Sequence, residues 1–438
     1  MSLVKAKGFF RLVQNVGVTA AAIFVLAGVG QTASAQTVSL TAGIAKGGMS
    51  CAPSNNGTGH MVCLEYASSG TLIGVSWEAP PAVNGSEAPN TIDTLNPLAT
   101  PAGTPIGSPG CGPSNDGSGS VACLVVAKTS SGFTLQGIAF SPPATATATS
   151  HLQTLGTEAA TATIGNPSCV SANAKIAGTG GTFGAVVCAL VMNGALYGVG
   201  FEPHTNTTTS LVALSLGTAF TGDPSCTATA TNTPGVCAVR QGNTLEGFTL
   251  LFNPPNGNAA ATLTVGNALS LGNTTVTSDP SCATPANGKG ADNTFTVTCA
   301  VVGGKALLGV SFDPQDKTVS AFQTLGDPPD AGTWMGDPGC AATNDGRAQF
   351  EELVSCAAAS STTNLFAVSF DPRGPVSFGI NGAFETNAES GPSCLPLAID
   401  ADELYCGATV ASGASGGFML PVGILPRHVS TAVLNALQ

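Results

Sequence analysis

Short runs of alternating and continuous apolar residues recur along the chain and predict β-strands. Within residues 278–326, TFTVTCAVVG starts by alternating apolar and polar residues and ends continuously apolar, as an inner strand covered on both faces does. GKALLGVSFDP follows a glycine turn and stops at proline, and VSAFQTLG supplies a further strand. With a first strand after SDPSC, the unit contains four strands, which is the content of one propeller blade.

The same unit recurs along the chain. Its third strand reads LIGVSWEAP at 72–80, LQGIAFSPP at 135–143, LYGVGFEP at 196–203, LLGVSFDP at 307–314 and LFAVSFDP at 365–372, with looser copies at 245–254 and 417–421. Repeats of this size indicate a solenoid or a propeller, and four strands per unit favour the propeller. We therefore predict an all-β, seven-bladed β-propeller with four antiparallel strands per blade. Strand-like segments at 37–43 and 429–438 leave open which terminus closes the ring.

Fourteen cysteines form seven close pairs, and the first member of each recurs every 54 to 60 residues. Phrases such as GNPSC, GDPSC and SDPSC precede that first cysteine. In an exported chain this regularity predicts one disulfide within each blade. Zinc binding is disfavoured because the chain has no CxxC pair and its four histidines are scattered. The predicted disulfides are Cys51–Cys63, Cys111–Cys123, Cys169–Cys188, Cys226–Cys237, Cys282–Cys299, Cys340–Cys356 and Cys394–Cys406.

Residues 1–35 have the features of an export signal. A basic start precedes the apolar stretch at 16–30, and the small residues ASA at 33–35 predict cleavage after Ala35. The propeller is then expected over 36–438, in a secreted or periplasmic protein. Without the signal, ten Lys and Arg face 25 Asp and Glu, which argues against binding to nucleic acid or anionic membranes. No later segment is long and apolar enough to insert into a membrane.

The sequence of phrases SDPSC, CAVV, ALLGVSFDP and FQTLG resembles the repeats of the bacterial fucose-binding seven-bladed propeller lectins. The resemblance extends over nearly all of residues 36–438 as a weak pattern repeated seven times. It implies a propeller that recognises sugars in pockets between blades. The chain departs from those Trp-rich lectins because it has only two Trp and three Tyr, and because the cysteine pairs are an addition. No sugar site can therefore be transferred residue by residue.

Three aromatic residues are candidates for ligand binding. Trp334 precedes GDPGC and is echoed only by Phe220, while Tyr197 and Phe366 follow the repeated leucine of the third strand and could face a groove between blades. Packing in the core is the alternative for each of them. Asp-Pro phrases suggest calcium, but they also fix turns, and no DxDxDG spacing is present. We predict no metal site and no cofactor.

The chain lacks the common catalytic motifs GxSxG and HExxH and has no phosphate-binding loop. Glu351 and Glu352 are adjacent, and neighbours on a strand point to opposite faces, so at most one of them could face a given site. We interpret the pair as part of a solvated hairpin. We therefore predict no catalytic residues and an exported, non-enzymatic binding protein, with lectin-like carbohydrate recognition between blades. Two other hypotheses remain: a secreted or surface propeller for protein interaction or structure, and a propeller glycoside hydrolase.

Overall fold

The architecture is all-β throughout the part of the chain that can be described. The computed structural model describes residues 38–39, 48–53, 60–66, 69–78, 92–95, 98, 100–114, 120–140, 151–175, 182–202, 207–228, 235–254, 260–284, 297–343, 353–362, 364–370, 377–385, 391–396, 403–409 and 415–421. The predicted signal at 1–35 and the segment at 429–438 lie outside these residues.

Thirty-one strands occupy the described residues. The first fifteen are β1 (Val38–Ser39), β2 (Ser50–Pro53), β3 (His60–Tyr66), β4 (Leu72–Glu78), β5 (Ile92–Leu95), β6 (Thr104–Pro105), β7 (Gly110–Pro113), β8 (Val121–Lys128), β9 (Gly132–Phe140), β10 (His151–Ala159), β11 (Ser168–Lys175), β12 (Thr182–Met192), β13 (Ala195–Glu202), β14 (Thr207–Thr208) and β15 (Val212–Thr218). The rest are β16 (Ser225–Ala228), β17 (Gly235–Gln241), β18 (Thr244–Asn253), β19 (Thr262–Ser270), β20 (Ser281–Ala283), β21 (Val297–Gly303), β22 (Ala306–Asp313), β23 (Thr318–Val319), β24 (Gln323–Gly326), β25 (Trp334–Thr343), β26 (Leu353–Ser360), β27 (Asn364–Phe370), β28 (Ser377–Glu385), β29 (Ser393–Pro396), β30 (Glu403–Thr409) and β31 (Ser415–Pro421).

Six blades are built from consecutive strands, and a further sheet joins the two ends of the described chain. Blades one to six contain β2–β5, β6–β10, β11–β15, β16–β19, β20–β24 and β25–β28. The further sheet, here called the closing sheet, has the order β1-β31-β30-β29. The innermost strands of neighbouring sheets contact each other in order, and β29 contacts both β25 and β2. The sheets therefore form a closed ring, a propeller in which the start of the described chain completes the closing sheet.

The prediction of seven four-stranded blades is wrong. Six blades are continuous repeats, whereas the closing sheet is a composite of β29–β31 and the distant strand β1. Blades two, three and five also have five strands, because one of their strands is divided into two short ones. In blades three and five a hydroxyl replaces a bond of the backbone ladder at the break: Thr209 accepts from the N–H of Gly200 at 2.8 Å, and Ser320 from that of Ser311 at 2.9 Å. Period alone does not reveal such breaks.

Each sheet contains one disulfide, and the bonds join the pairs that cysteine spacing predicts. They connect residues directly opposite each other on the innermost strand and its neighbour, with Cα–Cα distances of 4.0–4.1 Å. Each closes a loop with a sequence separation of 11–19 residues, and a bridge of this length contributes about 3 kcal/mol by restricting the unfolded chain. No cysteine is free.

Glycine on the third strand of one blade allows an aromatic ring from the next blade to pack against its backbone. A Cβ atom on Gly247 would lie 2.6 Å from the ring of Phe312, which is closer than real contacts allow. The same contact joins Gly137 to Phe201 and Gly309 to Phe370, and all three rings are almost fully buried. The recurring LxGxxF pattern of the sequence therefore describes the core between blades.

The serine before the first cysteine links one sheet to the next. Its Oγ accepts a hydrogen bond from the backbone N–H of the first cysteine in the following blade. Because the innermost strands of different sheets share no backbone ladder, these side chains supply the missing acceptors. The bonds are Cys111 N–H to Ser50 at 3.0 Å, and Cys226 to Ser168, Cys282 to Ser225 and Cys340 to Ser281, each at 2.9 Å.

The residue three positions before the first cysteine makes a second chain of bonds, here called the Asx chain. Its side chain accepts from the backbone N–H of the equivalent residue in the preceding blade. The donors and acceptors are Gly48 to Ser108 (2.9 Å), Ser108 to Asn166 (2.6 Å), Asn166 to Asp223 (2.8 Å), Asp223 to Asp279 (2.9 Å) and Asp279 to Asp337 (2.7 Å).

The middle one of three successive carboxylates in the Asx chain, Asp279, raises the cost of ionising its two neighbours. Burial, followed by repulsion from Asp279, raises the pKa of Asp223 to about 6, although hydrogen bonds from Asn166 oppose the rise. Burial and repulsion from Asp279 also raise the pKa of Asp337. The Arg240 guanidinium offsets part of this repulsion, since its Nε donates to Asp279 Oδ1 at 3.1 Å.

We expect Ser225→Ala to lower the free energy of unfolding by about 1–2 kcal/mol, because the Cys282 N–H loses its acceptor in a partly buried position. Urea denaturation measures the effect, and Ser215→Ala, at an exposed serine of β15, is the matched control. Equal stability of the two variants would show that the serine bond contributes nothing to ring closure.

We expect Asp223→Asn to flatten the pH dependence of stability. The folded pKa of Asp223 lies near 6 and its ordinary value is 3.8, so the stability linked to its proton is present below pH 3.8 and is lost as pH rises through about 6. After allowance for solvent screening, the stability lost over this pH range is on the order of 1–2 kcal/mol. The test is to measure melting temperatures from pH 4.5 to 7.5 for wild type, Asp223→Asn and the control Asp327→Asn, which changes an exposed aspartate. Parallel pH profiles for wild type and Asp223→Asn would contradict it.

Candidate functional site

The central channel holds a cavity of about 440 Å³ that is lined by the innermost strands of all the sheets. Its described lining consists of Ser, Cys, Ala, Thr, Val, Gly and Pro, with no acid, base or cationic side chain. Several of the serine hydroxyls there already accept the bonds that join the sheets. The described channel therefore offers no pair of carboxylates for glycoside hydrolysis. Glu351 and Glu352 lie outside the described residues.

A second cavity, of about 390 Å³, lies between blades one and two. We call it the Tyr66 groove. Tyr66 comes from the end of β3, while Thr104 and Lys128 lie directly opposite each other on β6 and β8. Pro105, Ile106 and Gly107 are the other described residues of the lining. The groove thus combines an aromatic ring, a hydroxyl, an ammonium group and backbone at a volume typical of small-molecule sites.

The Tyr66 hydroxyl is the unusual polar group of this groove. Tyr66 is only 2% exposed, and its hydroxyl makes no geometrically complete hydrogen bond. Burial raises the pKa of the Tyr66 hydroxyl above its ordinary value, and the nearby backbone of Val126 only partly offsets the rise. The hydroxyl therefore stays protonated. A buried, unsatisfied hydroxyl costs stability, and a ligand that bonded to it would remove that cost.

Equivalent positions in other blades carry larger side chains. The fourth residue after the second cysteine pairs with Pro105 in blade two, Ile164 in blade three, Phe220 in blade four and Trp334 in blade six. Phe220 and Trp334 are 3% and 8% exposed, and both belong to cores between blades. Compact Pro105 leaves the space that Phe220 and Trp334 fill elsewhere.

The three predicted ligand-binding aromatics lie in packed surroundings. Trp334 and Phe366 meet edge to face, with ring centroids 5.9 Å apart, and Trp334 Nε1–H donates to the Gly326 carbonyl oxygen at 3.2 Å. Tyr197 belongs to a different blade and lies half-buried against the core between blades two and three. Burial favours a packing role for all three, and their role in ligand binding remains a prediction.

Sequence reasoning missed Tyr66, Thr104 and Lys128. Six positions before the first cysteine, blades four and six have Phe220 and Trp334, whereas blades two and three have Pro105 and Thr163, so this position alone does not single out blade two. Among the described residues, no group of three or more His, Cys, Asp or Glu side chains is arranged to hold a metal. None of the described elements is a helix of the length and apolar character needed to cross a membrane.

Comparisons with known proteins support the fold at low sequence identity. No family model and no curated protein sequence matches the chain. Among solved structures, it is similar to the BP39L lectin of Burkholderia pseudomallei, with 11% identity and a TM-score of 0.50 over 87% of this chain and 97% of that chain. The six-bladed Aleuria aurantia lectin gives 9% identity and a TM-score of 0.42 over 78% and 96% of the two chains. The GH93 α-L-arabinofuranosidase of Fusarium graminearum has 12% identity to this chain and a TM-score of 0.41, over 90% of this chain and 99% of that chain. At these identities, the similarity to BP39L supports a propeller and leaves the ligand undecided.

We expect Trp334→Ala to lower the free energy of unfolding by roughly 3–5 kcal/mol, because it empties a packed site between blades. Denaturant unfolding measures the loss, and the neighbouring Met335→Ala, at a residue that is 39% exposed, is the control. Wild-type stability in Trp334→Ala would contradict a core role for this ring.

Proposed function

We propose that the protein is an exported, non-enzymatic carbohydrate-binding protein whose site is the Tyr66 groove. The observation that carries this proposal is the open cavity between blades one and two, where Phe220 and Trp334 fill the corresponding space in other blades. BP39L is a lectin, which suggests the ligand class to test. The groove itself supplies the chemical argument.

The lining of the groove matches the mixed chemistry of a sugar. The Tyr66 ring is 2% exposed and packs in the core between blades one and two, so Pro105 and Ile106 supply the apolar part of the lining. Tyr66 contributes its hydroxyl, which has no complete hydrogen bond within the chain. Thr104 and Lys128 add a hydroxyl and an ammonium on the opposite side. Sugar hydroxyls both donate and accept, so these groups can be satisfied together.

A binding role is favoured over hydrolysis because neither cavity has a carboxylate among its described lining residues. Glycoside hydrolysis ordinarily needs two carboxyl groups that flank the scissile bond. Protein interaction without sugar binding is the alternative that the experiments below distinguish.

Export is supported by the disulfides. Bridges in all the sheets require an oxidising compartment, such as the periplasm or the exterior of the cell. Cleavage after Ala35 remains part of the proposal, and the N-terminal sequence of the exported protein tests it.

Tyr66→Phe provides the sharpest test of the site. We expect saturable saccharide binding with one site per chain, and a loss of about tenfold in affinity when the Tyr66 hydroxyl is removed. Stability should be unchanged or higher, because the variant removes an unsatisfied buried group. Saccharide arrays identify ligands, and calorimetry with thermal unfolding measures both quantities.

Tyr197→Phe is the matched control, because it removes a tyrosine hydroxyl from a half-buried position in another blade. It should leave affinity unchanged. Loss of binding in Tyr197→Phe but not in Tyr66→Phe would move the site to the groove between blades two and three. An array without any bound saccharide would overturn the proposed function and favour a protein-interaction role.

A further inference from the structure

Lys128 is the one charged residue among the described residues that line the Tyr66 groove. It lies at the end of β8, is exposed to solvent and lines the cavity. No described carboxylate forms an ion pair with it, although the whole chain carries 25 Asp and Glu against 13 Lys and Arg. By contrast, the Arg240 guanidinium is paired with Asp279. An unpaired ammonium at the mouth of a cavity is a ready partner for an anion.

The acidic residues near Lys128 do not occupy the place of an anionic ligand in the groove. Glu65 precedes Tyr66 on β3, so its side chain points to the opposite face of the sheet, and it is 1% exposed. Glu158 lies two strands away in the same blade, in register with Phe133 and Lys128, at a distance of roughly 10 Å from strand spacing. Neither carboxylate lines the cavity.

We infer that the ligand of the Tyr66 groove is a saccharide with an anionic group, a carboxylate or a sulfate, that binds Lys128 while the sugar ring occupies the groove. This inference rests on the proposed function. A neutral sugar would partly remove water from the ammonium without supplying a counter-charge, whereas an anionic one supplies it. The neutral Tyr66 and Thr104 hydroxyls can donate to the same ligand.

The charge is specific to this groove. Lys128 is the fifth residue after the second cysteine of blade two, and the equivalents in blades three to six carry no positive charge. They are Asn193, Gly242, Gly304 and Ser361. In blades three, four and six, Ile164, Phe220 and Trp334 stand where blade two has the smaller Pro105. We therefore predict one anion-selective site per chain.

Calorimetry with matched sugars tests the inference in the exported protein. The probes are glucose, glucuronic acid and glucose 6-sulfate, with galactose, galacturonic acid and galactose 6-sulfate as a second set. We expect the acidic members to bind at least tenfold more tightly than their neutral parents, with one site per chain. Added salt should weaken their binding because it screens the exposed ammonium.

Lys128→Gln should lower the affinity for the acidic sugars to that of the neutral ones, with an unchanged melting temperature. Lys305→Gln is the matched control, because Lys305 is an exposed lysine in the hairpin between β21 and β22. It should leave all affinities as they are. Inorganic sulfate should bind at least tenfold more weakly than glucose 6-sulfate, because it has no sugar ring to occupy the groove.

The outcomes separate the two proposals. Equal binding of neutral and acidic sugars, or an unchanged acid preference in Lys128→Gln, would overturn the anionic ligand and leave the carbohydrate-binding function standing. Inorganic sulfate that matches the sulfated sugars would also overturn the inference, since only the charge would then be recognised. If no saccharide of either kind binds, here or on the array, both proposals are wrong.

Discussion

A ring of separate sheets must be joined near its axis without a continuous backbone ladder, and the rest of this structure depends on how that is done. The phrase before each first cysteine supplies the solution. Its serine accepts a backbone N–H from the next blade, and the residue two positions earlier accepts one from the preceding blade. The cysteine then fixes the innermost strand to its neighbour. One five-residue turn therefore connects a blade in three directions, which explains why the chain repeats it.

The exceptions to this turn have steric causes. Gly110 and Gly339 replace the serine where neighbouring strands come closer, and a Cβ there would collide with the carbonyl oxygens of Pro167 and Pro392. Gly48 and Gly391 replace the side-chain acceptor of the Asx chain on either side of the join between the closing sheet and blade one. The Asx chain therefore runs through the six consecutive blades, and the closing sheet relies more on β1 pairing with β31.

Strands, disulfides and the contacts between glycine and phenylalanine were predictable because each repeats with the period of the chain. The composite closing sheet and the divided strands were not, because they depend on where distant segments meet and on single hydroxyls such as that of Ser320. The Tyr66 groove was not predictable for a related reason. Trp334 was a candidate because it precedes GDPGC and is echoed only by Phe220, but in the structure it packs edge to face on Phe366 and is 8% exposed. The groove is open because Pro105 is smaller than Phe220 and Trp334, and a small residue at one position does not form a recognisable sequence motif.

Function in such a repeat is best sought where the repeat is broken. Residues that recur from blade to blade join sheets or fill the space between them. The described channel lining shows the result, since it has no charged side chain and several of its serine hydroxyls are bonded to neighbouring strands. Tyr66 and Lys128 have no counterparts of the same type in the other blades, although the Tyr66 ring itself packs in the core between blades one and two. The unsatisfied Tyr66 hydroxyl costs folding energy and contributes no bond to the blades. A buried polar group of that kind is best explained by a partner that the folded chain itself does not supply.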